Sequence, residues 1–165
     1  MARELIMCLF LLASNAHADC VDRAAARFRL NPDLLRAVAE QESYNDPGAL
    51  GPLLSDGNRA IGKWQINTIH LPELARYGVT RSDLMTECGS AFVGAWYLAR
   101  YIALVGPTWH ALGVYNTGPG SKNVAAQRRY EAAVKRRFER IRRERSSAPL
   151  VAAAPSRAMS VWRAE

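Results

Sequence analysis

Ala37-Val38-Ala39-Glu40-Gln41-Glu42-Ser43-Tyr44-Asn45 is the stretch from which the rest of the chain can be read. It has the pattern of the last two turns of a helix, with a carboxylate on the wrong face. Upstream, Asn31 is an N-cap residue, Pro32 suits the first helical position, and Asp33 faces the positive end of the helix dipole. At roughly 100° per residue, Glu42 lies about 80° from Leu34, between Val38 and Leu35 on the apolar stripe. Glu40 falls on the opposite side, where a solvated glutamate belongs. Glu42 then has two readings. It marks a helix end before the turn Asn45-Asp46-Pro47-Gly48, or it is a carboxyl held against apolar surface. In the second case desolvation raises its pKa and makes it a proton donor near neutral pH.

The N-terminus reads as an address. Arg3 precedes the apolar run Leu5 to Ala13, which is too short to span a bilayer, and Ala16-His17-Ala18 has the small-residue cleavage pattern. We expect a signal peptide over 1–18 and a periplasmic protein, with enough chain left for one domain. Export leaves Cys20 and Cys88 as an even pair in an oxidising compartment. A bridge between them would close a loop of about seventy residues and stabilise by roughly 4 kcal/mol in the chain-entropy model. The alternative is two buried free thiols. The net charge is +7, and ten of the 22 Lys and Arg lie between Lys122 and Arg145. Such an exported chain favours anionic polymers, lipid head groups or acidic partners.

No repeat and no sustained strand alternation is present, so the expected domain is all-α and spans residues 19–145. Helices are predicted over Asp19 to Phe28, Pro32 to about Ser43, 71–77, 81–87, 90–105, 108–115 and about Asn123 to Arg145. Residues 45–61 are rich in Gly, Pro, Asn and Asp and read as a long surface loop, a length that is usually functional inside a compact domain. Residues 90–105 are apolar on nearly every face, which marks a helix buried at the domain centre. From Ser146 to Glu165 the composition turns to Ala, Pro and Ser, a flexible tail.

The chemistry-bearing residues narrow the function. His70 and His110 have no partner at metal-ligand spacing, so no metal and no cofactor is expected. There is no phosphate-cradling glycine loop and no Ser-His-acid set. Gly62-Lys63-Trp64-Gln65 places an aromatic beside an amide, and Tyr115-Asn116 places a phenol beside one. Aromatics that stack on sugar faces, with amides that bond hydroxyl and acetamido groups, are what a carbohydrate groove needs. Each set also has an ordinary structural reading, Trp64 as core and Asn116 as a helix cap.

Four motifs in order carry a resemblance: Glu42-Ser43 with Pro47-Gly48-Ala49, Gly62-x-x-Gln65-Ile66-Asn67, Tyr115-Asn116, and Tyr130-x-x-x-Val134. Across about residues 20–137 the chain resembles the lysozyme-like lytic transglycosylases of the soluble-transglycosylase family. It is most similar to the small members that accompany type III secretion, conjugation and pilus machines. The resemblance implies a goose-lysozyme type of all-α fold and a Cys20–Cys88 bridge. It also implies Glu42 as sole catalytic acid and base, Ser43 orienting it, and Gln65, Tyr115, Asn116 and Tyr130 around the saccharide, where the groove reading of the residues adds Gly62 and Trp64. The implied substrate is peptidoglycan, cut between N-acetylmuramic acid and N-acetylglucosamine by a monomer that closes a 1,6-anhydro ring. One carboxylate then suffices, whereas ordinary glycosidases need two. By analogy with lysozyme's hydrophobic-pocket acid, the pKa expected for Glu42 is about 6.

The chain departs from the family at Lys63-Trp64, where Leu-Met is usual, at Val114 before Tyr115, and at Ala60, where some small relatives have an acid. Ala60 argues against a lysozyme-like second carboxylate, although Asp56, in the long loop, could still approach Glu42. Rival readings are a hydrolytic muramidase on the same fold and a wall-binding assembly factor without turnover. In the basic helix, Arg136, Arg137, Arg140, Arg142 and Arg143 form either a solvated face or a contact for the anionic wall or an acidic machine component.

Overall fold

The computed structural model describes residues 19–147. The expected signal peptide and all of the expected tail beyond Ser147 lie outside the described residues. Seven α-helices are described: α1 (Cys20–Phe28), α2 (Pro32–Ser43), α3 (Leu71–Ala75), α4 (Arg81–Leu84), α5 (Glu87–Val105), α6 (His110–Thr117) and α7 (Val124–Ser147). The last of these carries Ser146 and Ser147 as helix, two residues beyond the expected boundary.

Helix starts follow local chemistry. The Asp19 carboxylate accepts from Asp22 N at 2.8 Å and starts α1, and Asn31 accepts from Asp33 N at 2.8 Å and starts α2, with Pro32 at its first position. Thr80 and Asp83 form a reciprocal capping box on α4. At its far end α2 stops at two consecutive non-glycine residues with left-handed backbone, Tyr44 (φ 54°) and Asn45 (φ 69°). That conformation is uncommon and disfavoured for a tyrosine. It sits immediately after Glu42-Ser43.

The long loop is more ordered than its composition suggested. It closes through a two-stranded antiparallel ribbon, β1 (Ala60–Ile61) with β2 (Ile66–Asn67), and Leu50 adds an isolated bridge to Ile61. Strands of two residues show no alternation to detect. A short 3₁₀ turn, Thr68–His70, leads from β2 into α3.

The core lies between α5 and the helices that pack on it. Leu34, Leu35 and Val38 of α2, Leu98 of α5, Leu112 of α6 and Val134 of α7 are all fully buried. α5 packs against α1, α4 and α6, while α7 lies across α2 and α6. In length and composition α5 is apolar enough to cross a membrane, but its Ser90, Ala91, Val93, Ala95, Tyr97, Leu98 and Tyr101 are buried within the domain. Cys20 and Cys88 are bonded, 68 residues apart, and tie the start of α1 to the first turn of α5.

Candidate active site

Glu42 occupies the last turn of α2, on the side the helix turns toward α7. It is partly buried, and the Tyr130 hydroxyl donates a 2.5 Å hydrogen bond to its Oε1. Tyr130 stands 88 residues later, on the inner face of α7 among Gln127, Val134 and Phe138. Removal from water raises the Glu42 pKa, the Tyr130 hydrogen bond opposes part of that rise, and the net result is about 7. This exceeds the value expected from sequence. No cation forms an ion pair with Glu42 among the described residues. The carboxyl therefore holds a proton in a substantial share of molecules near neutral pH.

The carboxyl opens into a cleft of about 420 Å³, walled by Ala60, Gln65, Ile66 and Asn67 on the ribbon side and Tyr115 to Pro119 at the end of α6. Among the described residues that line it, Glu42 is the one carboxylate. The Tyr115 hydroxyl donates to Trp64 O at 3.0 Å. Burial, and then the nearby Glu42 charge, push the Tyr115 phenol well above its ordinary pKa, and Tyr130 is raised for the same two reasons. Both phenols are hydrogen-bond donors throughout the physiological range. Gln65 holds a left-handed backbone (φ 47°) and its Nε2 donates to Gly62 O at 2.9 Å, which fixes the amide at the cleft wall. Asn116 is exposed at the rim.

Several expected site residues act from outside the cleft. Trp64 requires a correction: its side chain is 0 % exposed and belongs to the core. The reason is Gly94 of α5, where a Cβ would come within 2.6 Å of Trp64 Cγ, so the missing side chain makes room for the indole. Trp64 contributes its carbonyl to Tyr115, and its ring is not available to stack on a sugar. Lys63 lies over that ring at 5.4 Å and pairs with Glu87 at 2.6 Å, which closes the outer side of the turn. Gly62 is buried, with φ 73°, and a Cβ there would meet Leu84 O at 1.9 Å. Its role is steric. The Ser43 hydroxyl donates to Lys63 O at 2.8 Å, so it fastens the end of α2 to this turn. Asp56 is exposed, accepts from Asn58 N at 3.0 Å, and is not among the residues lining the cleft.

The sequence reading missed one wall. Tyr97 and Tyr101 of α5 line the cleft together with His70, whose ring lies 4.9 Å from that of Tyr97. Burial lowers the His70 pKa and favours a neutral imidazole. Two tyrosines four residues apart in a largely apolar helix were the available signal, since i and i+4 share a face.

Residues 19–138 match the family model described as the transglycosylase SLT domain. The chain belongs to that family. This SLT domain is 34% identical to invasion protein IagB of Salmonella typhimurium over 139 residues, covering 83% of this chain and 86% of that one. It is 30% identical to protein IpgF of Shigella flexneri over 145 residues, covering 87% and 95%, and 38% identical to the X polypeptide of Escherichia coli K12 over 118 residues, covering 69% and 68%. In three dimensions it is similar to the lytic transglycosylase Slt of Pseudomonas aeruginosa, solved as an inactive mutant, with a TM-score of 0.63 at 20% identity. The match covers 79% of this chain and 24% of Slt, so the SLT domain spans about a quarter of that protein's length. The likeness establishes an all-α, lysozyme-like fold.

Proposed function

We propose that this SLT domain is a peptidoglycan lytic transglycosylase in which Glu42 works alone, first as acid and then as base. The observation that carries the reading is a carboxyl with a pKa of about 7 in the wall of a cleft whose lining holds no second carboxylate among the described residues. A protonated Glu42 donates to the glycosidic oxygen between N-acetylmuramic acid and N-acetylglucosamine. The bond from that oxygen to the muramic C1 breaks as positive charge develops at C1, and N-acetylglucosamine leaves with a free 4-hydroxyl. The resulting carboxylate accepts the proton of the muramic 6-hydroxyl, whose oxygen bonds to C1 and closes a 1,6-anhydro ring. The nucleophile belongs to the substrate, so no residue is needed to activate water.

The surrounding groups serve this cycle. Tyr130 donates to the carboxylate form and limits how far burial raises its pKa. Gln65, Asn116 and the phenol rings of Tyr97, Tyr101 and Tyr115 supply the polar and aromatic contacts of a saccharide groove. Proton transfer of this kind is worth about 10²- to 10⁴-fold, the rest coming from positioning and electrostatics. The proposed location is the periplasm, reached through the 1–18 segment, where the Cys20–Cys88 bond is at home. The likeness to a relative named an invasion protein supports a role in opening the wall for an envelope-spanning machine.

Mass spectrometry of digested sacculi tests the chemistry. Anhydro ends, one water lighter than hydrolytic ends, are the expected product. Reducing, hydrated ends alone would identify a muramidase on this fold. A zymogram in which Glu42→Gln clears as well as the parent would remove Glu42 from the reaction.

A further inference from the structure

The arginines of α7 divide into two populations that the sequence did not separate. Arg137 and Arg140 face α2, at 3.6 Å and in direct contact with the Glu40 carboxylate respectively, and Arg145 reaches Asp33 at 2.5 Å. These three serve helix packing. Arg129, Arg136 and Arg143 are exposed on the side of α7 away from its buried residues Gln127, Tyr130, Val134 and Phe138, and among the described residues no carboxylate pairs with them. A neighbouring row, Arg128, Lys135 and Arg142, flanks them; Lys135 lies over the Trp109 ring at 5.6 Å and Arg142 over the Phe138 ring at 5.5 Å. Each row repeats every seven residues, which on a helix places its cations on one side about 10 Å apart. One acidic residue, Glu139, lies among the two rows.

This face has a fixed relation to the cleft. Tyr130, on the inner face of the same helix, is hydrogen-bonded to Glu42, so α7 presents that phenol inward and the cation rows outward. No large exposed hydrophobic residue interrupts the rows; Val124, the exposed one in α7, lies before them. The surface thus suits electrostatic adsorption to a regularly charged polymer and lacks the apolar side chains that insert into lipid.

We infer that the outward face of α7 is a second binding surface for the wall polymer, taking the carboxylates of its stem peptides. This rests on the reading of peptidoglycan as substrate. Stem peptides recur once per disaccharide, a length comparable with the two-turn spacing of the rows. Adsorption there holds the cleft at a raised local concentration of glycan without adding a contact inside it. The guanidinium fork also pairs with carboxylates more specifically than an ammonium does.

The test measures pelleting with intact sacculi in a Glu42→Gln background, so that no bond is cut during binding. The combined Arg129→Gln, Arg136→Gln and Arg143→Gln variant is expected to bind at least about tenfold more weakly at low salt, the sum of three modest exposed pairs, and to show a flatter salt dependence. Intact sacculi whose stem-peptide carboxylates have been converted to amides with a carbodiimide and ammonia are expected to lose the salt-sensitive part of binding to the parent. Unchanged pelleting with an unchanged salt slope would overturn the inference. So would equal binding to the amidated sacculi, or tighter salt-sensitive binding to phosphatidylglycerol vesicles than to sacculi. With Glu42 intact, the triple variant should cleave short soluble glycans at the parental rate, which shows that it folds. Because binding is read without cleavage, failure here leaves the proposed reaction untouched, and failure of the reaction leaves the binding result readable.

Discussion

The two sides of the α2–α7 contact carry one glutamate each, two residues apart, and treat it in opposite ways. Glu40 meets Arg137 at 3.6 Å and the guanidinium of Arg140, so its negative charge is compensated by cations. Glu42 meets a phenol, the 2.5 Å bond from Tyr130, and no cation among the described residues. The same helix pair therefore makes an ion pair on one side and a proton-bearing carboxyl on the other. Chemistry becomes available where charge compensation is withheld and burial is kept.

Glu42→Gln gives the largest effect. Cleavage should fall by about 10²- to 10⁴-fold or more, read as loss of anhydro-muropeptide release, while the fold is retained. The same substitution tests the burial argument without any substrate. The folded pKa of Glu42, about 7, lies above its ordinary value of 4.5, so its contribution to stability is fully present below pH 4.5 and is lost as pH rises through 7. Above that pH the parent carries a buried charge that the glutamine variant lacks. Relative to the parent, the variant should gain up to about 3 kcal/mol between pH 4.5 and pH 8. Thermal unfolding of both proteins at the two pH values measures it, and parallel pH dependence would mean that the carboxyl is not held out of water.

How much of this was legible in the sequence depends on range. The α2 signals are local: Asn31, Pro32 and the apolar stripe set its start and direction, and they placed Glu42 on the inner face. α5 could be found but not oriented, because a helix that is apolar all round names no preferred side; Tyr97 and Tyr101 were lost in it. The ribbon at 60–67 was invisible because its strands have two residues each and its turn depends on positive φ at Gly62 and Gln65. Trp64 was misplaced since its partner, Gly94, is a glycine in another helix that no periodicity links to it. Tyr130 could be put on the apolar stripe of α7 from periodicity, but its bond to Glu42 spans 88 residues, and only the resemblance pointed it inward.

Tyr130→Phe should give an intermediate effect. It removes the donor that favours the ionised form, so the Glu42 pKa moves further up and the alkaline limb of the pH–rate profile shifts above its expected position near 7. Loss of one hydrogen bond to a charged group, about 1.5–3 kcal/mol, should slow turnover roughly tenfold to a hundredfold. A slower enzyme with an unmoved alkaline limb would reduce Tyr130 to packing and would remove the contrast between the two sides of the interface.

Glu40→Gln is the control on the other side, with the smallest effect. Its ion pairs are partly exposed, the Glu40 side chain at 25% and Arg140 at 42%, so solvent screens them. The substitution should cost no more than about 1 kcal/mol of stability, seen as a small fall in the unfolding midpoint. Because Glu40 contributes nothing to the cleft lining, the alkaline limb should stay where the parent has it. A shift as large as that of Tyr130→Phe would mean that the Arg137 and Arg140 charges, once released from Glu40, act on Glu42 through the helix interface. The two carboxylates would then be one coupled system, with Glu40 serving to keep those cations away from the acid.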